Sequence, residues 1–219
     1  MSRRHTIVRC RYRAAVGVYR ERILPHVIDR ACNTAELRAW RGEVTAGLFG
    51  TVVEIGFGSG LNVAAYPDEI ELVYAVEPAD VARRLAEPRI AAGNVTVEHV
   101  GLDGQQIPLP DDSCDGALST FTLCTVPDVH AALAELRRVV RPGGRFHFLE
   151  HGLSPDPGTA TWQRRFEPIQ KRVAAGCHLT RDIAELVSDA GFELEHVSSR
   201  YGRGPKPWTW FTQGVARNP

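Results

Sequence analysis

Residues 51–62 read Thr-Val-Val-Glu-Ile-Gly-Phe-Gly-Ser-Gly-Leu-Asn, an apolar run that gives way to glycine at every second position. Val52, Val53 and Ile55 have the character of a short buried strand. Gly56, Gly58 and Gly60 follow. Glycine belongs where backbone turns tightly or lies against a ligand, because a β-carbon would collide there. Leu61 to Tyr66 predicts a helical segment that stops at Pro67. Strand, glycine-rich turn and helix N-terminus together predict a nucleotide-type pocket with backbone N–H groups pointing into it.

At 219 residues the chain fits one domain with a substantial core. Its 26 basic and 26 acidic residues balance, so nothing global points to a nucleic-acid partner. No apolar run approaches a membrane span, and no apolar stretch follows the Arg-rich start as it would in a signal peptide. Cys10, Cys32, Cys114, Cys124 and Cys177 lack C-x-x-C spacing, so neither a metal site nor a disulfide framework is expected. Free thiols fit a cytoplasmic location.

Ahead of the first strand, Val16, Tyr19, Ile23 and Val27 recur at helical spacing, interrupted by Pro25. A second helix is predicted from Ala35 to Ala46. Eight arginines among the first thirty residues are compatible with peripheral membrane contact, but a lid on the pocket, residues 1–47, is the favoured reading. Leu72 to Val76 predicts the second strand, ending in Glu77-Pro78. A carboxylate there, seventeen residues after Gly60, suits both ribose hydroxyls of a nucleotide. A helix broken at Pro88 follows, then a third, edge-like strand with Val95, Val97 and Val100. Cys114 to Phe121 predicts a central fourth strand, Asp128 an N-cap, and Phe146 to Leu149 a fifth strand after a sharp turn at Arg141-Pro142-Gly143-Gly144. Residues 152–179 form an insert in which Trp162, Phe166, Ile169 and Val173 make a helical stripe kinked at Pro168, either core or a roof over an acceptor pocket. Thr180 is the expected cap of the last helix. Leu194 to Ser199 and Trp208 to Ala216 predict a closing antiparallel pair.

The G-x-G-x-G spacing after Glu54 differs from the G-x-G-x-x-G of dinucleotide dehydrogenases. It resembles the first motif of class I S-adenosylmethionine methyltransferases. So does Leu-Asp-Gly-Gln-Gln-Ile-Pro-Leu-Pro-Asp-Asp at 102–112. Leu-Cys-Thr-Val-Pro-Asp at 123–128, the segment 135–151 and Gly-Cys-His-Leu-Thr-Arg-Asp at 176–182 are similar to the alkyl-thiol S-methyltransferase branch, and more distantly to ubiquinone/menaquinone methyltransferases. The thiol enzymes differ in carrying a hydrophobic N-terminal anchor and an Asp at the position of Glu77. The resemblance implies a Rossmann-like, doubly wound α/β sheet of seven strands, order 3-2-1-4-5-7-6, strand 7 antiparallel. It implies S-adenosyl-L-methionine as cofactor and S-adenosyl-L-homocysteine as product. Glu54, Gly56, Phe57, Gly58, Gly60 and Asn62 would form the first contact set, and Glu77 with Pro78 the ribose end. Asp103, Gly104 and Gln105 would meet adenine, and Thr120, Phe121 and Thr122 the methionine portion.

Direct transfer from a sulfonium needs positioning more than enzyme chemistry. A thiol acceptor is partly ionised at neutral pH, whereas a phenol or alcohol needs a general base. His151 and His178 are the base candidates. Cys177 reads as packing, and no metal is expected. The acceptor is a small, apolar thiol, phenol or quinone-like molecule. A catalytically silent sensor that keeps the cofactor pocket is the alternative, and a dehydrogenase the weakest reading.

Overall fold

The computed structural model describes residues 19–174 and 176–219. Tyr12 and Val16, at the start of the first predicted stripe, and Cys10 lie outside the described residues. A π-helical turn, Tyr19–Ile23, leads into helix α1, Leu24–Cys32, with Pro25 in its first turn, where a missing N–H costs no helical bond. Helix α2, Ala35–Thr45, is capped by the Thr34 hydroxyl accepting from the Leu37 N–H at 3.2 Å.

Seven strands follow: β1 Gly50–Ile55, β2 Ile70–Val76, β3 Thr96–Gly101, β4 Cys114–Thr120, β5 Val140–His151, β6 Glu193–Tyr201 and β7 Trp210–Arg217. Their order is 3-2-1-4-5-7-6, and β7 runs antiparallel to both neighbours, as expected. Helices α3, Asp80–Ala92, α4, Val129–Val139, α5, Pro157–Val173, and α6, Ile183–Asp189, complete the chain.

Alternation along the strands builds a core on each face of the sheet. Val53, Ala117, Phe146 and Phe148 join Leu133, Leu136, Ile183 and Val187 of α4 and α6 on one side. Val52, Leu118 and Leu149 join Leu37, Trp40 and Val44 of α2 on the other. A one-residue step switches faces, which fixes the register. The edge strand β3 is mostly uncovered, in keeping with its mixed sequence.

Several local expectations are corrected. Leu61–Tyr66 yields only a single 3-10 turn, Val63–Ala65, because Asn62 and Tyr66 turn their side chains back onto Glu54 and Pro67 ends the segment. Helix α3 runs through Pro88 rather than breaking there. Helix α6 is capped by Asp182, whose carboxylate accepts from the Glu185 N–H at 3.2 Å, while the Thr180 hydroxyl donates to Glu167. The turn at Arg141–Gly144 lies inside β5 as an irregularity opposite Cys114 and Gly116. In α5 the buried face is Thr159, Ala160 and Gln163. Trp162 stacks on Phe166 at 3.9 Å, and Ile169 and Val173 are exposed, so the predicted stripe is not core.

Candidate functional site

The carboxyl ends of β1, β2 and β4 open into one cavity of about 410 Å³, a size suited to a small organic ligand. Gly56, Phe57, Gly58, Asn62, Glu77, Pro78, Asp103, Gly104, Thr120, Phe121 and Thr122 all line it. Glu54, Gly60 and Gln105 are not among its lining residues. The opposite wall comes from the N-terminal helices: Leu24, Pro25, Ile28, Cys32 and Arg41. Those five residues were not among the expected contacts.

The glycine-rich turn is sterically determined. Gly56 has φ +66°, and a β-carbon on it would sit 1.9 Å from the Thr122 hydroxyl oxygen. Only glycine lets β1 pass so close to the end of β4. The Gly56 and Phe57 N–H groups both donate to the Val76 carbonyl, at 2.9 and 3.2 Å, pinning the turn to β2.

Behind the turn lies a buried polar network. Glu54, 1 % exposed, accepts from Asn62 Nδ2 at 2.7 Å and from the Tyr66 hydroxyl. Burial pushes its carboxyl up to about 7, against the hydrogen bonds of Tyr66 and Asn62 and the charge of Arg41. The folded chain therefore holds this proton more tightly than an unfolded chain, whose glutamate titrates near 4.5. The contribution is complete below about 4.5 and is lost as pH rises through about 7. Glu54→Gln should flatten that slope, removing on the order of 1–3 kcal/mol of stability change between about pH 4.5 and pH 7.5. Melting temperatures of the two proteins across this range check it, and parallel curves would contradict it.

Glu77 is buried at the cavity floor. Its Oε2 accepts from the Gly58 N–H and its Oε1 from the Ala79 N–H, both at 2.8 Å. Burial raises its pKa, and these two N–H groups and Arg83 oppose the rise. The carboxylate is thus oriented before any ligand arrives. Asp103 is exposed at the rim, where its Oδ1 accepts from the backbone and side-chain nitrogens of Gln105, each at 2.9 Å.

Arg41 is the most informative residue missed. It is 3 % exposed, its Nη1 donates to Asn62 Oδ1 at 2.8 Å and to Thr120 Oγ1 at 3.0 Å, and its Nε has no hydrogen-bond partner among the described residues. Burial disfavours its charge, and the nearby Cys32, Glu54, Tyr66 and Glu150 favour it. A guanidinium does not deprotonate in a protein, so a buried cation stands in the cavity wall. Phe121 packs beneath it, 5.1 Å from ring centre to guanidinium, in a left-handed conformation of φ +57° that a non-glycine residue adopts only under surrounding constraint.

Neither expected base lines the cavity. His151 Nε2 is bonded to the Trp208 carbonyl, its Nδ1 lies 3.8 Å from Cys177 Sγ, and its ring stacks on Phe211. His178 Nδ1 lies 3.2 Å from Glu167 Oε1. The ring nitrogens that were to serve as base are thus engaged outside the cavity. The roof expected from residues 152–179 also contributes no lining residue.

This constellation fits S-adenosylmethionine. Gly56 and Gly58 bring the end of β1 to the cavity without side chains, a buried carboxylate suits a diol, a rim acid suits an amino group, and a buried cation in the wall suits a carboxylate. A methyltransferase-domain family profile matches residues 53–148. Thiol S-methyltransferase TMT1B of Rattus norvegicus is 32 % identical over 170 residues, spanning 75 % of this chain and 67 % of that protein. Thiol S-methyltransferase TMT1A of Homo sapiens is 27 % identical over 192 residues, spanning 83 % and 75 % respectively. A SAM-dependent methyltransferase structure from Thermotoga maritima superposes with a TM-score of 0.60 at 21 % identity, over 90 % of this chain and all of that one. No helix among the described residues is long and apolar enough to cross a membrane. The chain belongs to the class I S-adenosylmethionine-dependent methyltransferases, close to the branch of the thiol S-methyltransferases.

Proposed function

We propose that this methyltransferase acts on a small, apolar thiol. The observation that carries the reading is the composition of the cavity wall. Its ionisable side chains, among the described residues, are Cys32, Arg41, Glu77 and Asp103. Glu77 already accepts two N–H bonds and Asp103 lies at the rim. Among the described residues no histidine lines the cavity to take a proton from an alcohol or phenol. A thiol needs little such help, because sulfur is intrinsically nucleophilic and reacts well even when only a small fraction is thiolate. Leu24, Pro25, Ile28 and Val126 provide apolar surface for an alkyl acceptor. The similarity to two thiol S-methyltransferases points the same way.

Bound S-adenosylmethionine supplies an activated methyl group for in-line attack. The chain's own residues hold the reactants. Glu77 would accept from the ribose hydroxyls and Asp103 from the adenine amino group, with Gly104 and Gln105 beside the ring. Arg41 would meet the cofactor's carboxylate, and Phe121 and Thr122 would flank its methionine portion. Residues 24–47 act as a lid that excludes water from the methyl group. A cytoplasmic location suits the free thiols.

The acceptor reading is tested by rate against acceptor acidity. Across a series of thiols of similar size, initial rates at fixed pH should follow the thiolate fraction, and matched phenols should react at least about 100-fold more slowly. Faster phenol methylation would overturn it. Glu77→Ala should weaken S-adenosylmethionine binding about 10- to 100-fold, the worth of a pair of charge-assisted bonds, without unfolding the chain. Unchanged affinity in titration calorimetry would remove Glu77 from the ribose end.

A further inference from the structure

Away from the cavity, two thiols and an imidazole are assembled that methyl transfer does not use. His151 Nε2 faces the Trp208 carbonyl. A carbonyl only accepts, so Nε2 carries the proton, and in the neutral ring Nδ1 presents its lone pair. That lone pair faces Cys177 Sγ at 3.8 Å. Phe211 stacks on the imidazole with centroids 5.0 Å apart and fixes its plane. Nucleophile, base and orienting acceptor thus stand in sequence, as in enzymes that activate a cysteine.

The second thiol is Cys124, which packs with Cys177 in one buried cluster. The His178 N–H donates to the Cys124 carbonyl at 2.7 Å and ties the two segments together. Leu179 closes the cluster, leaving Cys124 3 % and Cys177 7 % exposed. Cys124 and then the His151 imidazole beside it hold the Cys177 thiol well below its usual range, although burial opposes this. The neighbouring Cys177, with burial, pushes Cys124 up. Cys177 is therefore the sulfur with a base beside it, and Cys124 the one placed to keep its proton.

We propose that Cys177 and Cys124 form a peroxide-reactive pair that closes to a disulfide, with Cys177 attacking, His151 taking its proton and Cys124 resolving. The Cys177 sulfur attacks one oxygen of a hydroperoxide and the O–O bond breaks. Cys177 becomes a sulfenic acid, and the departing oxygen takes the proton held on His151, leaving as water or an alcohol. The Cys124 sulfur then attacks the sulfenic sulfur. The S–S bond forms, the S–O bond breaks, and the hydroxyl leaves as water with the Cys124 proton. The two cysteines lose two electrons and the peroxide gains them. Cys124 lies between Phe121-Thr122 and Thr125-Val126, which line the cavity, so the bond would fasten the cavity wall to the 176–180 segment.

The test uses the reduced full chain and hydrogen peroxide in slight excess, followed by alkylation under denaturing conditions and peptide mapping by mass spectrometry. The expected product is a Cys124–Cys177 cross-linked peptide, reversed by dithiothreitol, formed about tenfold faster than any oxidation of Cys114. In Cys124→Ser, Cys177 should be trapped as a sulfenic acid that dimedone captures. Oxidation spread evenly over the cysteines, or a disulfide joining any other pair, would overturn the proposal. The wild-type measurement stands whether or not the variant folds.

Discussion

Gly56→Ala should reduce S-adenosylmethionine affinity by at least about 100-fold and lower stability by about 3 kcal/mol, the combined scale of left-handed strain and overpacking. The new β-carbon would lie 1.9 Å from Thr122 Oγ1 and 2.5 Å from its Cγ2, closer than non-bonded atoms approach. Either β1 retreats from β4 or the Thr122 segment moves, and both lie in the cavity wall. Gly58 supplies the control. It has φ +58°, but its added β-carbon would meet nothing closer than the Gly56 carbonyl oxygen at 3.7 Å. Gly58→Ala should therefore cost only backbone strain, about 1–2 kcal/mol. Thr122→Gly should restore part of the loss in Gly56→Ala, because it removes the atoms in collision. Titration calorimetry and thermal melts of the four proteins measure this. Equal effects at Gly56 and Gly58 would contradict the steric account.

Arg41→Met should lower affinity for S-adenosylmethionine and S-adenosylhomocysteine by about 100-fold, the scale of a lost charge-assisted bond in a buried site. Methionine keeps an apolar stem as far as the position of Nε and removes the cation. Binding of 5′-methylthioadenosine, which lacks the amino-acid carboxylate, should change by less than about tenfold. Arg41→Lys should fall between, since an ammonium keeps the charge but cannot reproduce the planar fork that reaches Asn62, Thr120 and a ligand together. If all three ligands weaken equally, Arg41 holds the wall in place and does not contact the carboxylate.

The sequence makes the sheet legible through local rules. Val52 and Val53 alternate onto opposite faces, Gly56, Gly58 and Gly60 take left-handed backbone, and Asp128 caps its helix. Each of these depends on neighbours close in the chain. Many of the expected cofactor contacts converge on one cavity for the same reason, since strand ends are where such sheets bind ligands. A lid over residues 1–47 was expected, but the residues with which it lines the cavity were not legible, because Arg41 reaches Asn62 and Thr120 only through tertiary packing. A signal was nevertheless present: Arg41 interrupts the apolar stripe of Leu37, Trp40 and Val44 on the buried face of its helix. A charge on such a face must find a partner or await one. The surroundings of the histidines were not legible either: their residue type suits a base, while their partners, Trp208 and Cys177 for His151 and Glu167 for His178, come from other elements.

The most direct test of the thiol reading is to incubate the protein with methyl-labelled S-adenosylmethionine and a small alkyl thiol, and to quantify both products. The account predicts labelled methyl thioether and S-adenosylhomocysteine in equal amounts, with the matched phenol and alcohol left nearly unlabelled. S-adenosylhomocysteine formed with an oxygen acceptor and not with the thiol would contradict it.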